Sequence, residues 1–61
     1  MDSREVIQRL RDAGFEHVST KGSHKKFRRG DKMVIVPDPK KDIPAGTLRS
    51  IYRQADLPWP P

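Results

Sequence analysis

The sequence predicts a single α+β domain, made of one helix, a three-stranded antiparallel meander and a second helix, with both helices on the apolar face of the sheet. Three observations carry this expectation. Apolar residues recur at helical spacing near both ends of the chain. Between those stretches the period changes to two, and glycine-containing pairs interrupt the middle section where hairpin turns are needed. With 61 residues in all, the domain is 1–61, closed by a proline-rich tail over 58–61.

Arg4 to Ala13 reads as the first helix. Val6, Ile7 and Leu10 share one face, and Gly14 follows one turn later. Asp2 or Ser3 can cap its free N–H groups, and Glu5, three residues after Asp2, fits a capping box. Gly14 suits the left-handed residue that ends a helix, which folds Phe15 back onto the apolar face.

Glu16 to Thr20, Ser23 to Arg29 and Lys32 to Val36 have strand character, separated by Lys21-Gly22 and Gly30-Asp31. Gly30-Asp31 suits a two-residue hairpin with glycine first, whereas Lys21 disfavours positive φ and leaves room for a longer first loop. Two-residue loops at both places set Val18 opposite Lys25, Ser19 opposite His24, Phe27 opposite Val34 and His24 opposite Pro37. Val18, Phe27, Val34 and Val36 then share the core face. His17, His24, Lys26, Arg28, Met33 and Ile35 share the other, a mixture of cations and apolar side chains with the character of a binding surface. In that register His17 lies diagonal to His24, and Asp38 comes near the His24 imidazole or caps the turn between Pro37 and Pro39.

Pro37-Asp38-Pro39 stops the sheet and Lys40 to Gly46 connects to a second helix over Thr47 to Asp56, with Leu48, Ile51, Tyr52 and Ala55 at helical spacing. Pro58-Trp59-Pro60-Pro61 cannot continue it. Tyr52 is expected in the core and Trp59 docked with the tail.

Composition narrows the function. Only 33% of the residues are hydrophobic, and a chain this short buries only about 60% of the surface its unfolded form exposes. That excludes large pocket enzymes and nucleotide-binding folds. No cysteine is present and histidines number two, so neither a disulfide nor a zinc site is expected. No apolar run approaches a membrane span, and Met1-Asp2-Ser3 does not open a signal peptide. A cytoplasmic protein without cofactor or membrane contact is expected.

Thirteen Lys and Arg against eight Asp and Glu give a net charge of +5, which favours an anionic partner, nucleic acid above all. Lys21, Lys25, Lys26, Arg28, Arg29 and Lys32 cluster in twelve residues that hold one acid, Asp31. Such a cluster binds a phosphodiester backbone without reading its sequence. Lys21, Lys25, Lys26 and Arg28 are its candidate phosphate ligands. Met33 and Ile35, if exposed, suit docking of a protein partner.

Two motifs stand out. One is Lys21-Gly22-Ser23-His24 followed by Phe27; the other runs Gly-Thr-Leu-Arg-Ser-Ile-Tyr-Arg-Gln-Ala from Gly46 to Ala55. With Gly14-Phe15 they make the chain resemble the HicA toxin family from Ser3 to Leu57. The resemblance implies a fold similar to the double-stranded RNA-binding domain. It also implies the toxin of a type II toxin–antitoxin system, an endoribonuclease acting on mRNA, with a HicB-like antitoxin as partner that covers the active site. His24 occupies the position of the family's catalytic histidine. Many relatives carry a second histidine soon after the Val-Pro that ends the third strand, where this chain has Asp38.

The residue types fit that chemistry. Metal-independent RNA cleavage needs a base for the 2′-hydroxyl proton, an acid for the departing 5′-oxygen, and cations near the phosphate. Histidine, with an ordinary pKa near 6.5, exchanges protons near neutrality. Ser23 is expected to orient the turn by bonding the backbone, with Gly22 supplying the turn. Two other readings share these features: a non-catalytic RNA-binding module, and a basic domain that meets an acidic protein.

Overall fold

The computed structural model of the chain describes residues 1–61. The elements run α1 (Ser3–Asp12), β1 (Glu16–Lys21), β2 (His24–Arg29), β3 (Lys32–Pro37) and α2 (Ala45–Gln54). The sheet is antiparallel in the order β1-β2-β3, and both helices pack against β3. This is the expected α+β arrangement of helix, three-stranded sheet and helix. It is consistent with likeness to the double-stranded RNA-binding domain.

Local chemistry explains both ends of α1. The Glu5 N–H donates to the Asp2 carboxylate at 2.9 Å, which identifies Asp2 as the N-cap. At the other end the Phe15 N–H donates to the Leu10 carbonyl at 2.9 Å and the Gly14 N–H to the Arg11 carbonyl at 2.9 Å. That pair of bonds is a Schellman motif, and it needs Gly14 at its φ of +94°. The motif drops Phe15 into the core, where it is 3% exposed. The Arg29 guanidinium crosses the Phe15 ring, 4.9 Å from the centroid, and donates to the Ala13 carbonyl, so a cation closes the negative end of the helix.

The second hairpin forms as the sequence predicts, with Phe27 opposite Val34 and His24 opposite Pro37. Phe27, Val34 and Val36 are fully buried. The first hairpin differs in two ways. Its loop is Gly22-Ser23 rather than Lys21-Gly22, so Lys21 pairs with His24, Thr20 with Lys25 and Ser19 with Lys26. Gly22 takes the positive φ of +59° at the first loop position, which Lys21 would have taken at a steric cost. The shift is two residues and leaves the alternation of faces unchanged.

A β-bulge between His17 and Ser19 then does change it. His17 pairs with Phe27 and Glu16 with Arg28, and Val18 is left unpaired. Val18, expected in the core, is 46% exposed. The physical reason is cover: the helices lie over β3, and all six residues of β1 remain exposed.

Before α2 the chain is pinned by the N-terminal segment. The Ser3 N–H donates to the Lys40 carbonyl at 2.8 Å and the Ile43 N–H to the Met1 carbonyl at 3.0 Å. These bonds seat Ile43, which is 5% exposed, in the core beside Leu48, Ile51 and Tyr52. α2 starts at Ala45, two residues before the expected Thr47, and has no side-chain cap. Every buried side-chain nitrogen and oxygen has a partner.

Candidate functional site

The site is built on the sheet face turned away from the helices. Along β2 the side chains alternate. Phe27 is buried, so Lys25 and Arg29 share its side of the sheet, while His24, Lys26 and Arg28 point the other way. The basic cluster of the sequence is therefore divided. Lys21, paired with His24, lies on the outer face with Lys26 and Arg28. Ser19, Lys21, Gly22, Ser23, His24, Lys26 and Ile35 together line one open cleft beside the first hairpin turn.

Lys25, expected among the phosphate ligands, is not in that group. Its ammonium is paired with the Asp38 carboxylate, and its side chain is 34% exposed. Asp38 likewise does not approach the imidazole. Its carboxylate accepts from the Ser3 hydroxyl at 2.6 Å as well as from Lys25, and its side chain is only 14% exposed. The Lys25 ammonium first, and the Ser3 hydroxyl second, hold its carboxyl below the usual carboxylate range. Asp38 does support the turn. Its backbone N–H donates to the Ser23 carbonyl at 2.8 Å, immediately before His24. The bond that ties Ser23 down thus runs through its carbonyl, not through the hydroxyl that the sequence suggested.

His17 is also removed from His24. The bulge turns it to the Phe27 side, its ring 5.3 Å from the Phe27 ring, and its Nε2 lies 3.0 Å from the Ser19 carbonyl and 2.8 Å from Thr20 Oγ1. Tyr52 is buried in the core, and Trp59 packs edge-on against it at 5.5 Å while staying 39% exposed.

Ser19 also lines the cleft without being a candidate ligand in the sequence; the expected register puts it on this face opposite His24, whereas it faces Lys26. A first turn at Gly22-Ser23 gives that pairing, because glycine at the first position is the stronger turn signal. Chemically the cleft offers one imidazole with Lys21 across from it and Lys26 two residues along the strand. That is a proton-transfer group among fixed positive charges. No group of three or more His, Asp or Glu side chains is arranged to hold a metal ion, and no helix is long and apolar enough to cross a membrane.

No curated protein matches the chain. A family model does match, over residues 3–57, and its description is the HicA toxin of bacterial toxin–antitoxin systems. The matched span contains both helices, the whole sheet and the cleft around His24, and the chain belongs to the HicA toxin family.

Proposed function

We propose that this toxin is a metal-independent endoribonuclease of a type II system, cleaving mRNA in the cytoplasm with His24 as a proton-transfer group. The observation that supports it most is the pairing of His24 with Lys21 across the first hairpin, with Lys26 in the same cleft. In the reaction the 2′-oxygen attacks the adjacent phosphorus and gives up its proton to a base. The bond from phosphorus to the 5′-oxygen breaks, and that oxygen takes a proton from an acid. The products are a 2′,3′-cyclic phosphate and a free 5′-hydroxyl. His24 serves as base or acid in this exchange. Lys21, Lys26 and Arg28 hold the phosphates and offset the charge that builds on the non-bridging oxygens. Gly22 and Ser23 shape the turn that carries His24. A HicB-like antitoxin covers this face.

The test is cleavage of labelled RNA in EDTA by the wild type and by His24→Ala. The wild type cuts and leaves a cyclic phosphate, and RNA with a 2′-deoxy sugar at the scissile position resists. His24→Ala loses activity by about 10²- to 10⁴-fold, the usual worth of a general acid or base. It keeps its thermal transition, because His24 is exposed at a strand end. Cleavage of the deoxy substrate, or a need for magnesium, overturns the mechanism. Retention of intact RNA by the wild type would make the domain an RNA-binding module instead.

A further inference from the structure

The outer face of the sheet is ordered beyond the cleft. Its pairings form three rungs across the strands: Lys21, His24 and Pro37; Ser19, Lys26 and Ile35; Glu16, Arg28 and Met33. Read along the strands, the same residues form three columns. β2 supplies His24, Lys26 and Arg28. β3 supplies Pro37, Ile35 and Met33, the last two 48% and 46% exposed. β1 supplies Lys21, Ser19 and Glu16.

Alternate residues on a strand stand roughly 7 Å apart, and the neighbouring column lies about 4.8 Å to the side. The repeat along β2 is close to the distance between successive phosphates of an extended single strand. The exposed apolar side chains occur one per rung, in step with Lys26 and Arg28. A nucleotide has that same repeat, one phosphate and one base. The β1 margin cannot take the bases as well, since Ser19 is polar and the Glu16 carboxylate repels a nucleic-acid strand. We infer that, given the ribonuclease reading of this face, an RNA single strand runs along β2 with successive phosphates on His24, Lys26 and Arg28 and its bases laid over Ile35 and Met33.

The arrangement selects for strandedness. A duplex keeps its base faces stacked inside, so it can reach the cations but not the two apolar side chains. Aliphatic and thioether contacts to a base face form no hydrogen bonds, so the strip accepts any base. Met33 and Ile35 are by themselves a small apolar area for a protein interface, and their one-to-one spacing with the cations matches a nucleotide repeat. An antitoxin that covers this face would cover them along with the cations.

The test is fluorescence anisotropy with a 2′-O-methyl oligoribonucleotide of about twelve nucleotides, long enough for a groove of this kind. It cannot be cleaved, and it is used alone and annealed to its complement. Met33→Thr/Ile35→Thr keeps strand-forming side chains, and it should weaken single-strand binding about fivefold or more without altering the salt dependence. Its duplex binding should be unchanged. Lys26→Ala and Arg28→Ala should each reduce the salt slope by roughly 0.7. In the wild type, the methyl NMR signals of Met33 and Ile35 should move on adding the single strand and stay in place with the duplex. Equal affinity for both forms, or unmoved methyl signals at saturation, overturns the inference while leaving cleavage by His24 standing, and hands the two side chains to a protein partner. Absence of any RNA binding overturns the ribonuclease reading along with it.

Discussion

Asp38 stands one residue past β3 and turns its carboxylate toward Lys25 and Ser3. Folding lowers its pKa, so the folded chain holds its proton less tightly than the unfolded chain. The stabilisation is therefore complete above the ordinary value of 3.8 and is lost as pH falls through the lowered one. Asp38→Asn should cost about 1 kcal/mol at neutral pH, a charged hydrogen bond discounted for the partial exposure of Lys25. Urea unfolding from pH 7 to about pH 2 should show the gap between wild type and variant closing below about pH 4; a constant gap would mean the charge contributes nothing. Asp56 is the other informative residue. It ends α2 with a φ of 57°, and the Leu57 N–H donates to the Tyr52 carbonyl at 2.9 Å and the Asp56 N–H to the Arg53 carbonyl at 3.1 Å. This repeats the motif at Gly14 with a side chain where glycine is preferred and an acid at the negative helix end. Asp56→Gly should raise stability by about 0.5 to 1 kcal/mol and the melting temperature by about 4 °C.

Among the elements, β1 departs furthest from expectation, and the cause is traceable. Its register depends on where the first turn falls, and Lys21-Gly22 and Gly22-Ser23 both offer a glycine. The bulge at Val18 has no glycine or proline to announce it. Helix ends were easier to read, because Asp2, Gly14 and the backbone groups they satisfy are close neighbours in the chain. α2 begins and ends two residues earlier than the sequence predicts, since Ala45 and Gly46 carry no capping side chain to mark its start. The exposed position of Val18 makes a contrast measurable. Val18→Thr should change stability by no more than about 0.5 kcal/mol, while Val34→Ala, at a fully buried position of β3, should cost about 2 kcal/mol. Thermal melts showing similar losses for both would place Val18 in the core after all.

At the scale of the molecule, eleven buried hydrophobic residues make the core. A chain of this size has a total stability of roughly 3 to 9 kcal/mol. Phe27 is fully buried between the helices and the two flanking strands, and its truncation to alanine costs about 3 to 5 kcal/mol. Phe27→Ala should therefore lose most or all of its cooperative thermal transition, as read by circular dichroism; an unchanged melt would show that the core is larger than its contacts indicate. The same thinness accounts for the role of the N-terminal segment. Met1 and Ser3 hold the loop that brings Ile43 under α2, so a segment outside both helices and the sheet completes the core.

By itself the amino-acid sequence determined the order of the elements, the ends of α1, the second hairpin and the buried face of β2 and β3. It also determined the cluster of cations around His24. Each of these rests on groups a few residues apart, where periodicity, capping and turn chemistry act. Alternation along β2 already set Lys26 and Arg28 on the face of His24; only the tertiary structure paired Lys21 with His24, sent Lys25 to Asp38 and sent Arg29 to the end of α1. It also turned His17 toward Phe27, exposed Val18 and buried Ile43. The physical reason is that a bulge, an ion pair across 13 residues and a loop tied to the N-terminus gain their free energy from partners distant in the chain. No local pattern records those partners.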